Sequence, residues 1–102
     1  MSANAARGEA MLTLENAALM LRPSFAALVA AEEEIGPLFA MVERAVSGAL
    51  KLSEMVALFW HCLAERPEGM TRETFGEAVA KAGLAAATPA LKVLLGQILG
   101  GR

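Results

Sequence analysis

SEMVALFWHCLAE, residues 53–65, is the stretch that decides the fold of this chain. At the 100° per residue of an α-helix, its broad apolar face is formed by Met55, Val56, Phe59, Cys62 and Leu63, and is widened by Leu58 and Trp60. The polar edge is narrow and consists of Glu54, His61 and Glu65. Because a helix of this kind is usually enclosed by other elements, we predict that it lies at the centre of a helical domain.

On the N-terminal side of this stretch the apolar pattern changes from a helical period to a period of two. Residues 1–7 are small and polar and are predicted to form a flexible tail. Within residues 9–22 the alternating apolar positions are Ala10, Leu12, Leu14, Leu19 and Leu21. Glu15 and Asn16 separate the two runs, and asparagine suits a tight turn. This pattern predicts a β-hairpin, the alternative being an irregular arm.

Further helices are marked by capping residues and by glycine or proline breaks. The predicted start signals are Ser24, Pro37, Ser53, Thr71 and Thr88 followed by Pro89. In the helix after Thr71, Phe75 and Val79 are predicted to face inward. The fold class is therefore mainly α with a short N-terminal β-hairpin. We predict a compact bundle of about five short helices, in one domain over residues 8–102.

The helix predicted from Phe25 to Ile35 contains one carboxylate in an unexpected place. Its predicted inward face contains Phe25, Leu28, Val29 and Ile35, and Glu32 projects between them. Buried carboxylates are normally paired. Glu32 is therefore predicted either to reach Arg22 or Arg44 across the packing, or to mark the rim of a partner-binding surface.

Composition restricts the classes of function. The net charge is −2 and the pI is about 5.4, so the chain has no basic face for DNA or RNA. Its hydrophobic content of 56% exceeds the roughly 45–50% of typical soluble domains, which predicts a homo-oligomer or a bound partner. A single cysteine, no signal peptide and no bilayer-spanning apolar run favour a cytoplasmic protein without membrane contact.

The residue types that carry catalysis or bind metals do not converge in this sequence. His61 and Glu65 share a helix face at i, i+4, but zinc needs three or four ligands, so a solvated pair is favoured over a metal site. Cys62 falls on the apolar face, where a thiol is usually inert. No glycine-rich phosphate loop is present. We therefore expect no enzyme activity and no cofactor.

The last predicted helix has an apolar stripe of uncertain use. The stripe consists of Leu91, Leu94, Leu95, Ile98 and Leu99. Amphipathicity alone does not distinguish a core-facing stripe from a docking surface. Methionines elsewhere in the chain, such as Met11 and Met20, offer adaptable apolar surface to a partner. Both interpretations therefore remain open.

Two segments together resemble a known family. LRPSFAAL, residues 21–28, continuing through EEEIG, residues 32–36, looks like the usual opening of the small tail proteins of gene transfer agents and related siphophages. TRETFGEAV, residues 71–79, is similar to a later helix of that family. The resemblance covers roughly residues 8–99. These proteins are grouped as tail assembly chaperones and have also been labelled tail-tube proteins.

The resemblance implies a non-enzymatic protein of the bacterial host cytoplasm that binds the tape-measure protein and helps bring tail-tube subunits to it. The partner-binding residues predicted on this basis are Leu91, Leu94, Leu95, Ile98, Leu99, Met11, Met20 and Glu32. Two alternatives belong to other classes. One is a structural subunit retained in the finished tail, and the other is a small DNA-binding regulator with a helix-turn-helix within residues 37–65. The scattered basic residues of that segment disfavour the second.

Overall fold

The computed structural model describes residues 9–14 and 17–100, which form a two-stranded hairpin followed by five helices. The elements are β1 (Ala10–Thr13), β2 (Ala18–Leu21), α1 (Phe25–Ile35), α2 (Leu38–Ser47), α3 (Leu52–Cys62), α4 (Arg72–Ala82) and α5 (Leu84–Gly100). The predicted fold class is confirmed. The predicted tail over residues 1–7 and the turn at Glu15 and Asn16 lie outside the described residues.

Helix α3 is at the centre, as its sequence predicts. Its buried residues are Met55, Val56, Ala57, Leu58, Phe59 and Cys62. Helices α1 and α4 pack against it, and α5 packs against α4 and β1. Residues from the hairpin and from all five helices belong to one hydrophobic cluster around α3.

The hairpin closes one side of this cluster because its alternation places one face inward. Strands β1 and β2 are antiparallel, with Ala10 opposite Leu21 and Leu12 opposite Leu19. These four side chains are buried. After α3 the chain meets the outer edge of β2, where Ala64 N donates to Met20 O at 2.9 Å. The hairpin is thereby joined to the end of the central helix.

Helix α3 starts two residues earlier and ends earlier than predicted. Lys51, not Ser53, is its N-cap, and the Glu54 carboxylate accepts a hydrogen bond from Lys51 N at 3.0 Å. The helix ends at Cys62, because Leu63 forms an antiparallel bridge with Leu21 instead of continuing the helix. Apolar periodicity continues past this point, so the sequence alone could not show the change to strand pairing.

The predicted inward face of α1 is wrong in part. The buried residues are Ala27 and Ala31, whereas Phe25 is 84% exposed and Val29 is 38% exposed. Small alanine side chains allow α1 to lie close to α3. Glu32, predicted on the inward face, is exposed, and its Oε2 accepts a hydrogen bond from Leu38 N at 3.1 Å. Thus it pairs with neither predicted arginine but supplies a partner to the first turn of α2.

Helix α5 begins at Leu84, before the predicted start at Thr88 and Pro89. Alanine has the highest helix propensity, so residues 85–87 extend the helix back to Gly83. Pro89 therefore lies inside the helix, and Ala87 and Ala90 on either side of it are buried. This burial offsets the backbone hydrogen bond that proline removes.

Replacing Gly48 or Gly96 by alanine is expected to change the free energy of unfolding in opposite directions. Gly48 ends α2 at φ = +80°, so Gly48→Ala is expected to lower the free energy of unfolding by about 1 kcal/mol. Gly96 lies within α5, and an added Cβ there would meet no described atom within 4 Å. Gly96→Ala is therefore expected to raise the free energy of unfolding by about 0.5–1 kcal/mol. Urea unfolding measures both free-energy changes. Changes of the same sign would contradict the placement of Gly48 at the end of α2 and of Gly96 within α5.

Candidate protein-interaction site

An open groove lies between the outer face of the hairpin and the chain that follows α3. It has a volume of about 400 Å³ and is called here the hairpin groove. It is lined by Met11, Ala18, Leu19, Met20, Arg22, Ala64, Glu65, Arg66 and Pro67. The groove exists because residues 62–64 pair with one end of β2 and the chain then leads on to Pro67. The remaining length of β2 is thus left beside open space.

Two methionines form the apolar part of the hairpin groove. Met11 and Met20 are directly opposite each other in the β1–β2 register. Leu14 N donates to Ala17 O at 2.7 Å, so Leu14 and Ala17 form a hydrogen-bonded pair. Hydrogen-bonded and non-hydrogen-bonded pairs alternate along an antiparallel ladder, which makes Met11 and Met20 a non-hydrogen-bonded pair. The side chains of such a pair approach closely. Both are half-buried and project from the face opposite the core. This site can adapt to apolar side chains of different shapes.

The charged residues of the groove are held by defined contacts. Arg22 Nε donates to Glu9 Oε2 at 2.7 Å, and the Glu9 side chain is almost fully buried. The Arg66 guanidinium lies over the Trp60 ring, 4.2 Å from its centroid, and Nη2 donates to Trp60 O at 3.4 Å. A cation over an indole face is a favourable arrangement. The groove therefore combines an apolar surface with two arginines held in place and with the exposed side chain of Glu65.

A polar cluster outside the groove joins α1, α3 and α4. Arg72 donates to both carboxylate oxygens of Glu34, at 2.8 and 2.6 Å, and His61 Nε2 lies 2.8 Å from Glu34 Oε1. The predicted pairing of His61 with Glu65 is therefore wrong, because α3 ends before Glu65. His61 instead faces the end of α1. The cluster ties three helices together at the protein surface.

Hydrogen bonds lower the pKa of Glu34 from 4.5 to about 2, and the bond from Arg72 contributes more than the one to His61. Since the folded-state pKa is the lower one, this stabilisation is present above about pH 4.5 and is lost as the pH falls towards about 2. The Glu34 side chain is 42% exposed, which reduces the expected contribution to about 1 kcal/mol. We expect Glu34→Gln to lower the free energy of unfolding by about this amount at pH 7.

Urea unfolding at several pH values measures this effect. The difference between wild type and Glu34→Gln should shrink as the pH falls from about 4.5 to 2. Glu33→Gln is the matched control, since Glu33 is exposed and has no ion-pair partner among the described residues. A difference that stays constant over this pH range would contradict the proposed linkage.

The predicted partner-binding residues of the last helix have different degrees of exposure. Leu94 is fully buried, and Leu91, Leu95 and Ile98 are partly buried against the core. Leu99 is 57% exposed. Most of the stripe therefore faces the core of the chain itself. That these residues bind a partner remains a prediction, and within this stripe Leu99 is the residue that is mostly exposed.

Residue types that could support chemistry are not assembled in the described part of the chain. Burial raises the pKa of the Cys62 thiol to about 12, so the thiol is protonated at neutral pH. No group of three or more potential metal ligands occurs within residues 9–14 and 17–100. None of the five helices alone is long and apolar enough to cross a membrane. Helices α4 and α5 meet that criterion only as a pair bent by 111°.

The sequence analysis missed several exposed apolar residues. Phe39 is 76% exposed and Val46 is 81% exposed on α2, and Phe25 is similarly exposed on α1. Phe39 and Val46 are seven residues apart and so lie on one face of α2, a spacing that the sequence does contain. Glu43 lies between them on this face and is exposed, so the sequence does contain a polar residue that marks the face as an outer one.

Together, the fold and the groove define a small helical protein with open apolar surface and a short hairpin at its N-terminal side. A family model described as "Phage tail tube protein, GTA-gp10" matches residues 7–101. The chain belongs to this family of gene transfer agent and phage tail proteins, which confirms the resemblance seen in the sequence. Comparison with curated proteins and with solved structures gave no match.

Proposed function

We propose that this chain is a tail assembly chaperone, which binds the tape-measure protein and assists tail-tube assembly without catalysing a reaction. Family membership supports a role connected with the phage tail. The exposed apolar side chains support binding of another protein, because they are still available for contacts in the single chain. In this proposal the chaperone acts in the host cytoplasm.

The hairpin groove is the observation that carries this proposal. A chaperone must hold apolar segments of different sequence, and flexible methionine side chains suit such a surface. Met11 and Met20 supply it in the groove, together with the charged residues Arg22, Glu65 and Arg66. An amphipathic tape-measure helix would place apolar side chains on the methionines and charged groups beside the arginines and Glu65.

Co-expression with fragments of the tape-measure protein tests this proposal. Wild-type chain is expected to keep the fragments soluble and to co-purify with them. Met11→Ser combined with Met20→Ser should abolish co-purification, because the variant loses the apolar contact but keeps the strand register. Leu84→Ser is the matched control, since it removes an exposed apolar side chain outside the groove. Fragments that stay insoluble with wild type would contradict the chaperone function.

A second candidate is a structural subunit that stays in the finished tail. The family description favours it, since it names a tail tube protein. A tube subunit would use its apolar surfaces to contact copies of itself and would be present in particles at a fixed ratio. A chaperone would leave before the particle is complete. The composition of purified particles therefore distinguishes the two functions.

A further inference from the structure

Two exposed apolar stripes, separate from the hairpin groove, lie on the consecutive helices α1 and α2. They are called here the α1–α2 surface and consist of Phe25 and Val29 on α1 and Phe39 and Val46 on α2. On α1, Phe25 and Val29 are one helical turn apart, and on α2, Phe39 and Val46 are two turns apart. Three of the four side chains are more than three-quarters exposed. Each helix thus has an exposed apolar stripe.

The charges on this surface are of one sign. Glu32, Glu33 and Glu43 are exposed, and Arg44 is the only basic residue from Phe25 to Ser47. Arg44 is bound to Glu54 of α3 and is therefore engaged within the protein. Glu32 and Glu33 also lie in the last turn of α1, where the helix dipole adds negative potential. The surface combines apolar side chains with carboxylates that no described cation neutralises.

We propose that the α1–α2 surface binds a basic amphipathic helix of another protein. Leucine, valine or phenylalanine on one face of that helix would cover the apolar stripes, and lysine or arginine beside them would meet the three carboxylates. A second copy docked through the same surface would bring like charges together. An anionic membrane would also be repelled. Charge complementarity therefore favours a basic protein segment.

This surface differs in chemistry from the hairpin groove, which is lined by Arg22 and Arg66 together with Glu65. The inference does not rest on the chaperone function, because it depends only on exposure and charge in α1 and α2. A basic helix of about 18 residues is roughly 27 Å long, which is comparable with the 31 × 28 × 24 Å dimensions of the chain.

Fluorescence anisotropy with a labelled synthetic peptide tests this inference. The probe is an amphipathic helix of about 18 leucine and lysine residues, compared with a leucine–glutamate peptide of the same pattern. The wild-type chain is expected to bind the lysine peptide and not the glutamate peptide. Binding should weaken as salt is raised, because the charges are exposed. Full-length chain is used throughout.

Two double variants should each weaken binding at least about tenfold. Phe25→Ser with Phe39→Ser removes apolar contact, and Glu33→Lys with Glu43→Lys reverses charge. Their matched controls are Leu84→Ser with Val93→Ser, and Glu68→Lys with Glu77→Lys, which change exposed residues elsewhere. The controls should keep wild-type affinity. Thermal unfolding confirms that every variant folds.

Several results would overturn the inference. Equal affinity of all variants for the lysine peptide would show binding without the α1–α2 surface. Tight binding of the glutamate peptide would contradict the charge argument. Sedimentation of the unliganded chain gives a further test. A dimer that Phe25→Ser with Phe39→Ser dissociates would show that a second copy occupies this surface instead.

Discussion

Phe59→Ala is expected to lower the free energy of unfolding by about 3–5 kcal/mol, the largest effect of any single substitution considered. Phe59 is fully buried at the middle of α3, and α3 is the helix around which the other elements pack. Removing the ring leaves a cavity that close-packed neighbours fill only in part. A chain of this size has a total stability of about 5–15 kcal/mol, so a large share would be lost.

Urea unfolding followed by circular dichroism measures this change, and Phe39→Ala is the matched control. Phe39 is the same residue type in a neighbouring helix but is largely exposed. Its substitution should change the free energy of unfolding by no more than about 0.5 kcal/mol. Similar losses at the two positions would show that α3 is not the centre of the core.

Leu94→Ala is expected to lower the free energy of unfolding by about 2–5 kcal/mol. Leu94 is fully buried in α5, on the apolar stripe whose use the sequence left open. Leu99 lies on the same stripe but is mostly exposed, so Leu99→Ala should cost less than about 0.5 kcal/mol. Differential scanning calorimetry of the two variants compares these positions.

The pair also tests whether the stripe forms core or docking surface. If Leu94→Ala were as stable as wild type, α5 would not close the core, and the whole stripe would be available to a partner. If Leu99→Ala were as destabilising as Leu94→Ala, the exposed end of α5 would make contacts that the structure does not show. Either result would contradict the packing described for this helix.

Local sequence signals predicted the hairpin and α4 because they agree with the tertiary packing. Leu12 and Leu19 alternate with outward residues, and a period of two allows only one buried face once the strands pair. In α4, the Thr71 side chain accepts a hydrogen bond from Thr74 N, and Phe75 and Val79 are buried as predicted. Local and long-range preferences point the same way in these elements.

Where the local sequence was compatible with more than one structure, tertiary contacts determined which one formed. Residues 25–31 of α1 are all apolar, so no polar residue marks an outer face, and the close approach to α3 selected alanines for burial. The end of α3 was determined by pairing of Leu63 with Leu21, which is 42 positions earlier in the chain. Contacts between such distant positions leave no periodic signal in the sequence.

The candidate sites were predictable to different degrees. Met11 and Met20 were identified from their residue type and from the strand pattern, and the structure places them together in the hairpin groove. Arg66 was not identified from the sequence, because its position beside the groove depends on the path of the chain after α3. The meeting of Glu34 with Arg72 likewise joins residues 38 positions apart.

Quantitative mass spectrometry of purified tail particles, set beside the tape-measure complexes of the producing cells, tests the chaperone function most directly. If the chain is a chaperone, it should be abundant in complexes with the tape-measure protein and absent from finished particles. Its presence in finished particles at a fixed ratio to the tail-tube subunit would contradict the chaperone function and identify a structural subunit.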